Sequence, residues 1–326
     1  MYRRPVKASF AALPMLDAAA SGGAGLDEID ASLVVHGVRI PGRITLPAGA
    51  PRGAVLLVPG SLFSDVDGDY PVWNMRPHVY RDLARQLAAR GLTSMRQAKI
   101  GPQTGSETLD PEAAAAHRHF AARVAVVRVA LAHLRAAAPG VRAVVAGHSE
   151  GAVVASLFGA QEAELDGVVS LSGPALRLFD VMRGQIAATA GDMSVFDAFV
   201  RAVRQGEPTP EAARSDPATA MMANMPPESL VYIREVDAVD PVAAVARVRA
   251  PMLLVQGGRD MSVTPEQVDQ LAAAREGQPT EVMRFAELQH FYKRAAPGLS
   301  GIESFGLSEE SDPAVADAIA AWIGAF

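Results

Sequence analysis

The sequence contains no cysteine. That absence removes a disulfide framework, a thiolate nucleophile and thiolate-ligated zinc or iron–sulfur together. Long apolar runs are also missing: none approaches the roughly 18 residues needed to span a bilayer. The 30 Lys and Arg are scattered rather than clustered and the net charge is −6, so no footprint for a phosphate backbone exists and nucleic acid is not expected as a partner. No internal repeat of fixed period is present. Arg3, Arg4 and Lys7 precede a mildly apolar stretch, but Pro14 and Asp17 cut it short of a signal core. A cytoplasmic location is therefore expected, with secretion left open. What remains is 326 residues, 49% hydrophobic and 20% charged, which fits a globular protein of one or two folding units.

Residues 1–30 are rich in Ala and Gly and read as an arm before the domain. Residues 32–36 and 38–46 are β-leaning runs split by Gly37, which suggests a hairpin at a sheet edge. Residues 54–58 form a continuous apolar run ended by Pro59-Gly60, the pattern of a strand buried on both faces. Helical and short apolar stretches then alternate: a helix over 76–90, a strand over 92–96, an Ala-rich helix over 111–138, and a strand over 141–146. A helix over 151–160 and a strand over 167–171 follow. Residues 173–250 lack a comparable strand and carry helical spacing broken at Pro208, Pro210 and Pro226-Pro227. The rhythm resumes with a strand over 251–256, a helix over 265–274, a strand over 281–286 and a closing helix over 313–323. The expectation is an α/β fold with a mostly parallel central sheet flanked by helices. Its core spans 31–172 and 251–326, and a helical cap spans 173–250.

Gly147-His148-Ser149-Glu150-Gly151 is a G-x-S-x-G pattern lying directly between a strand and a helix. At so sharp a turn a side chain at either flanking glycine would collide with neighbouring backbone, and the serine is left exposed at the tip. This is the nucleophile elbow of an α/β-hydrolase fold, with Ser149 as nucleophile. A serine hydroxyl needs a histidine within reach. In this fold the base follows the last strand, and of the seven histidines His290 meets that condition best. His117, His119 and His133 fall on the Ala-rich helix, where two residues apart is the wrong spacing for a metal pair. The orienting acid should follow the penultimate strand, which selects Asp260 after Gly257-Gly258-Arg259; Asp237 and Asp240 precede that strand and rank lower. The Glu150 N–H begins the helix and supplies one oxyanion donor, and the Ser61 N–H, after Pro59-Gly60, supplies the other, with Leu62 as second choice. Asp65, Asp67 and Asp69 form an acidic turn without the glutamate of a calcium loop, so no metal is assigned.

With these residues placed, the chain resembles bacterial α/β-hydrolases of the carboxylesterase (EstD-like) and serine-aminopeptidase-like groups. The resemblance rests on Gly60-Ser61 with Asp65-Val66-Asp67-Gly68, the elbow, Leu254-Val255-Gln256-Gly257-Gly258-Arg259-Asp260, and His290-Phe291-Tyr292-Lys293. It implies hydrolysis of short acyl esters beneath a small helical cap, without a cofactor. One departure stands out. Relatives carry an Arg-x-Asp-Lys-Arg-Gly type sequence after the second parallel strand, whereas Arg96-Gln97-Ala98-Lys99-Ile100-Gly101 lacks the acid and the second arginine. A structural ion pair is expected to be missing there.

The reading is thus a two-step acyl-enzyme mechanism on a small-molecule acyl substrate, run by Ser149, Asp260 and His290. Phe179, Met182, Phe196, Phe199, Met221, Met222 and Met225 are candidates to line an acyl pocket beneath the cap, although packing among cap helices explains them equally well. Acyl transfer, cyclisation and C–C bond hydrolysis use the same triad and remain alternatives, as does a non-catalytic receptor that kept the fold. A homodimer is left open.

Overall fold

Two β-leaning runs separated by His36-Gly37 close into an antiparallel hairpin, β1 (Asp27–Val35) with β2 (Val38–Leu46), whose turn residues both take positive φ. This computed structural model describes residues 26–187, 192–299 and 301–325. The expected arm therefore lies outside the described residues up to position 25, and residues 27–30 are already strand.

The apolar run after the hairpin is β3 (Gly53–Val58), buried along its whole length. It is followed by α1 (Val79–Ala89), β4 (Leu92–Gln97), the two-residue β5 (Glu107–Thr108), α2 (Pro111–Ala116) and α3 (Ala121–Ala137). Then come β6 (Ala143–His148), α4 (Glu150–Gly159) and β7 (Gly167–Leu171). Among the described residues six helices intervene before the sheet resumes: α5 (Leu178–Ala187), α6 (Ser194–Gln205), α7 (Glu211–Ser215), α8 (Ala220–Ala223), α9 (Pro227–Ala238) and α10 (Pro241–Ala246). The chain ends with β8 (Met252–Gly257), α11 (Gln267–Ala273), β9 (Thr280–Phe285), α12 (Gly301–Phe305) and α13 (Ala314–Gly324).

The sheet runs in the order β1-β2-β4-β3-β6-β7-β8-β9, with β5 pairing β2. β2 pairs β4 antiparallel, and every neighbour from β4 to β9 is parallel. Strands of such a sheet need cover on both faces, and β3 shows how the alternation meets that need. Ala54, Leu56 and Val58 join the apolar layer under α3 and α4, while Val55 and Leu57 join the layer under α1 and α13.

The Ala-rich stretch is two helices rather than the single helix expected over 111–138. Asp110 caps α2 by accepting from the N–H groups of Glu112 and Ala113 at 3.1 and 3.0 Å, and α3 starts afresh after Phe120. The break is held by partners outside the helix. His117 stacks on His36 with ring centroids 3.8 Å apart, and Glu235 of α9 accepts from the Phe120 N–H at 2.7 Å while pairing with His119. Of the three histidines expected on one helix, only His133 is helical.

Candidate active site

The strand-to-helix turn after β6 leaves no room for a side chain at either glycine. A Cβ on Gly147 would lie 2.0 Å from the Gly151 carbonyl oxygen, and one on Gly151 would lie 2.3 Å from the Val58 carbonyl oxygen. Ser149 at the tip takes φ 55 and ψ −124, a conformation that costs a non-glycine residue about 1–3 kcal/mol. Its N–H is tied to the Leu171 carbonyl at 2.8 Å and its carbonyl accepts from the Ala152 N–H at 2.9 Å. The turn is thus pinned from both sides.

Asp260 and His290 come from the loops after β8 and β9. These loops touch because Gly257 and Gly258 carry no side chains: a Cβ would meet the Leu288 oxygen at 2.5 Å and the Ala286 oxygen at 2.7 Å. His290 Nδ1 donates to Asp260 Oδ2 at 2.8 Å, with both residues buried. The other carboxylate oxygen accepts from the N–H groups of Ser262 and Val263 at 2.8 and 2.9 Å. Burial alone would raise the Asp260 pKa, but the His290 imidazole and the Val263 N–H outweigh it and hold the carboxyl below its usual range. An Nδ1–H committed to a carboxylate leaves Nε2 as the acceptor face of the ring.

His290 meets the elbow through the residue before the serine. The His148 ring lies 4.6 Å from the His290 ring, centroid to centroid, and its Nε2 donates to the His290 carbonyl at 2.9 Å. Its Nδ1 lies 3.3 Å from the Tyr80 hydroxyl, which accepts from the Gly60 N–H at 2.7 Å. A neutral ring satisfies that chain, and burial, with His290 second, pushes the His148 pKa down to about 3. Tyr80 and His148 therefore join the loop after β3, the elbow and the His290 loop. Sequence reasoning passed over both: His148 was in view as a neighbour of the serine, but nothing in its position says where its ring points.

The loop Gly60-Ser61-Leu62 passes over the start of α4, a Cβ on Gly60 lying 3.2 Å from Ser149 Cβ. Among the described residues the N–H groups of Ser61, Leu62 and Glu150 meet no acceptor, so all three nominated donors are free. Beneath them lies a buried ionic cluster. Glu150 Oε1 accepts from Lys99 Nζ at 3.0 Å, from the Tyr232 hydroxyl at 3.0 Å and from Arg123, and Oε2 accepts from the Ser61 hydroxyl at 3.1 Å. Burial opposes ionisation of Glu150, yet Lys99 and Arg123 pull its pKa down to about 2; burial lowers Lys99 to about 8 despite Glu150. The ion pair expected to be missing after β4 is thus present in another form. Lys99 is paired with Glu150, and buried Arg96 bonds Asp67 at 3.0 Å and Glu28 at 3.0 Å.

Other nominated residues have structural occupations. Asp240 caps α10, and Asp237 accepts from the Phe179 N–H and from Arg204. Asp65 accepts from the N–H groups of Asp67 and Asp69, and Asp69 pairs with His78 at 2.8 Å. Among the described residues no group of three or more His, Asp or Glu is placed to hold a metal ion. The pocket candidates are divided by burial. Phe179, Phe196, Phe199 and Met222 form the helical segment's own core, with Met182 and Met225 packed against it. Of the two alternatives the sequence left for these residues, the contacts seen are those of packing among the helices. Met221 is 59% exposed.

The fold agrees with what comparisons with known proteins show. The family model for serine aminopeptidase, S33, matches residues 77–292. Esterase EstD of Thermotoga maritima is 26% identical over 293 residues, covering 87% of this chain; the chain spans 65% of that relative's length. The Pyrococcus furiosus esterase Pf2001 superposes with a TM-score of 0.54 at 15% identity, covering 82% of this chain and 84% of the other. Est1E from Butyrivibrio proteoclasticus superposes with a TM-score of 0.53 at 13% identity, covering 90% and 97%. These superpositions carry the α/β-hydrolase fold. No helix among the described residues is long and apolar enough to cross a membrane. With two thirds of its length matched, from before α1 to the loop that carries His290, the chain belongs to the serine aminopeptidase S33 family of α/β hydrolases.

Proposed function

We propose that the protein is a serine hydrolase that cleaves carboxylic esters through an acyl-enzyme, with Ser149 as nucleophile, His290 as base and Asp260 as the acid that orients it. The observation that carries this reading is the buried Asp260–His290 hydrogen bond, joined through His148 to a strained serine turn. In the first step His290 Nε2 takes the Ser149 hydroxyl proton as Oγ bonds to the substrate carbonyl carbon. The oxyanion is received by the N–H groups of Glu150 and Ser61. Collapse breaks the carbon–oxygen bond of the ester, and His290 returns the proton to the leaving alcohol. Water then repeats the sequence and releases the acid. Ester rather than amide chemistry is favoured by the likeness to EstD, which is named an esterase. Helices α5 to α10 serve as a cap, with Met221 on their exposed side and Tyr232 reaching the elbow.

A panel of p-nitrophenyl acetate, butyrate and octanoate, with matched thioesters and amides, tests the reading. Esters should turn over best, and Ser149→Ala and His290→Ala should each remove nearly all of that turnover, with the double variant no slower than either single one. Strong amide cleavage with inert esters would overturn the substrate class, and an active Ser149→Ala protein would overturn the mechanism.

A further inference from the structure

The loop that carries Ser61 is gripped from behind by a guanidinium, and peptide geometry says what that grip does. In the Pro59–Gly60 peptide both polar groups are engaged: the carbonyl accepts from Arg123 Nη2 and the N–H donates to the Tyr80 hydroxyl. In the next peptide the Gly60 carbonyl faces Arg123 Nη1 at 3.5 Å, while the Ser61 N–H meets no acceptor among the described residues. A trans peptide is planar, with its C=O and N–H on opposite edges. Holding the Gly60 carbonyl toward Arg123 therefore turns the Ser61 N–H away from it.

Arg123 itself has little freedom. It is buried on α3, and the Nη1 that faces Gly60 also donates to the Glu150 carboxylate. Glu150 is further bonded to Lys99 and Tyr232, and its second oxygen takes the Ser61 hydroxyl. One carboxylate thus fixes the guanidinium and the side chain of the very residue whose amide is free. Two cations around one carboxylate are a poor way to gain stability, because desolvation opposes the attraction. A planar fork that meets two successive carbonyls is, by contrast, a good way to fix backbone, and a lysine could not do the same from that position.

We propose that Arg123, seated on Glu150, is a positioning residue that aims the Ser61 N–H as an oxyanion donor. The proposal rests on the serine-hydrolase reading of the site, and its test separates the two. In the full chain, Arg123→Lys keeps a cation beside Glu150 but removes the fork. For p-nitrophenyl butyrate kcat should fall about 10- to 100-fold, less than or equal to the loss of a donor outright, with KM changed less than about twofold. The inhibition constant of a trifluoromethyl ketone of matching chain length should rise by the factor lost in kcat/KM, since its adduct carries the oxyanion. Glu150→Gln, which keeps shape but loosens the guanidinium, should show the same split to a smaller degree and carries the test if the lysine variant fails to fold. Unchanged kcat in folded variants, a rise confined to KM, or a kcat loss without weaker ketone binding would overturn the proposal while leaving the parent reading intact. A wild-type protein that neither hydrolyses esters nor binds the ketone would overturn both.

Discussion

Asp260 is kept charged in a buried place by four donors, two from backbone and two from side chains, and only one of them is the histidine it serves. Asp260→Asn should therefore leave the loop folded but present an amide to His290 Nδ1, favouring the wrong tautomer. Turnover should fall by roughly 10³- to 10⁴-fold, whereas Asp240→Asn, at a helix cap, should keep wild-type kcat; the reverse ranking in steady-state kinetics would reassign the acid. His148 gives a prediction in pH. Its folded pKa of about 3 lies below the ordinary 6.5, so as pH falls through 6.5 the unfolded chain takes a proton that the folded chain refuses. Stability is lost across that window, by on the order of 2 kcal/mol between pH 7 and 5 from this ring. Urea unfolding at the two pH values should show a shallower loss in His148→Gln than in wild type, and an equal loss would contradict the buried neutral ring. At this scale the sequence was most informative where local rules bind: Gly147 and Gly151 have no room for a Cβ, so the elbow was readable. Arg123, Tyr80 and Tyr232 were not, because each reaches the site from an element distant in sequence and no spacing rule connects it to Ser149.

Elements were legible in kind and less so in extent. β3 and β6 read as buried strands because both faces are covered, and their apolar runs are continuous. The break between α2 and α3 was hidden because Ala-rich sequence on both sides favours helix, and the partners that hold it open, His36 and Glu235, lie far along the chain. The helices between β7 and β8 pack on themselves through Phe179, Phe196 and Phe199, with Phe199 set edge-on against Phe179 at 6.1 Å. Apolar spacing announces such a core but does not say whether a ligand shares it. Phe199→Ala should cost about 3–5 kcal/mol of that layer's stability, seen as local loss of amide protection in α6 and α9 while the central strands stay protected. Met221→Trp, on an exposed position, should leave the melting temperature unchanged and alter the ratio of octanoate to acetate hydrolysis. An unchanged ratio would remove α8 from the substrate path.

In the whole molecule the site lies at the C-terminal ends of the parallel strands, where the loops after β3, β6, β8 and β9 bring together residues separated by most of the chain. Ligand sites in open α/β sheets gather at that edge because the loops there are free to vary while the sheet stays fixed. The alternation of strands and helices makes this arrangement readable in the sequence, since a parallel sheet fixes which ends face the same way. Polar links then tie the outer helices to the edge: Tyr232 to Glu150 beside the serine, and Gln185 to the Ser262 carbonyl in the loop that carries Asp260. The central claim is that this edge holds one activated serine. Treatment of the full chain with a fluorophosphonate, read by intact mass and peptide mapping, tests it most directly. The account predicts a single adduct on Ser149, lost in Ser149→Ala and strongly slowed in His290→Ala. An unlabelled wild-type protein, or an adduct on any other residue, would contradict it.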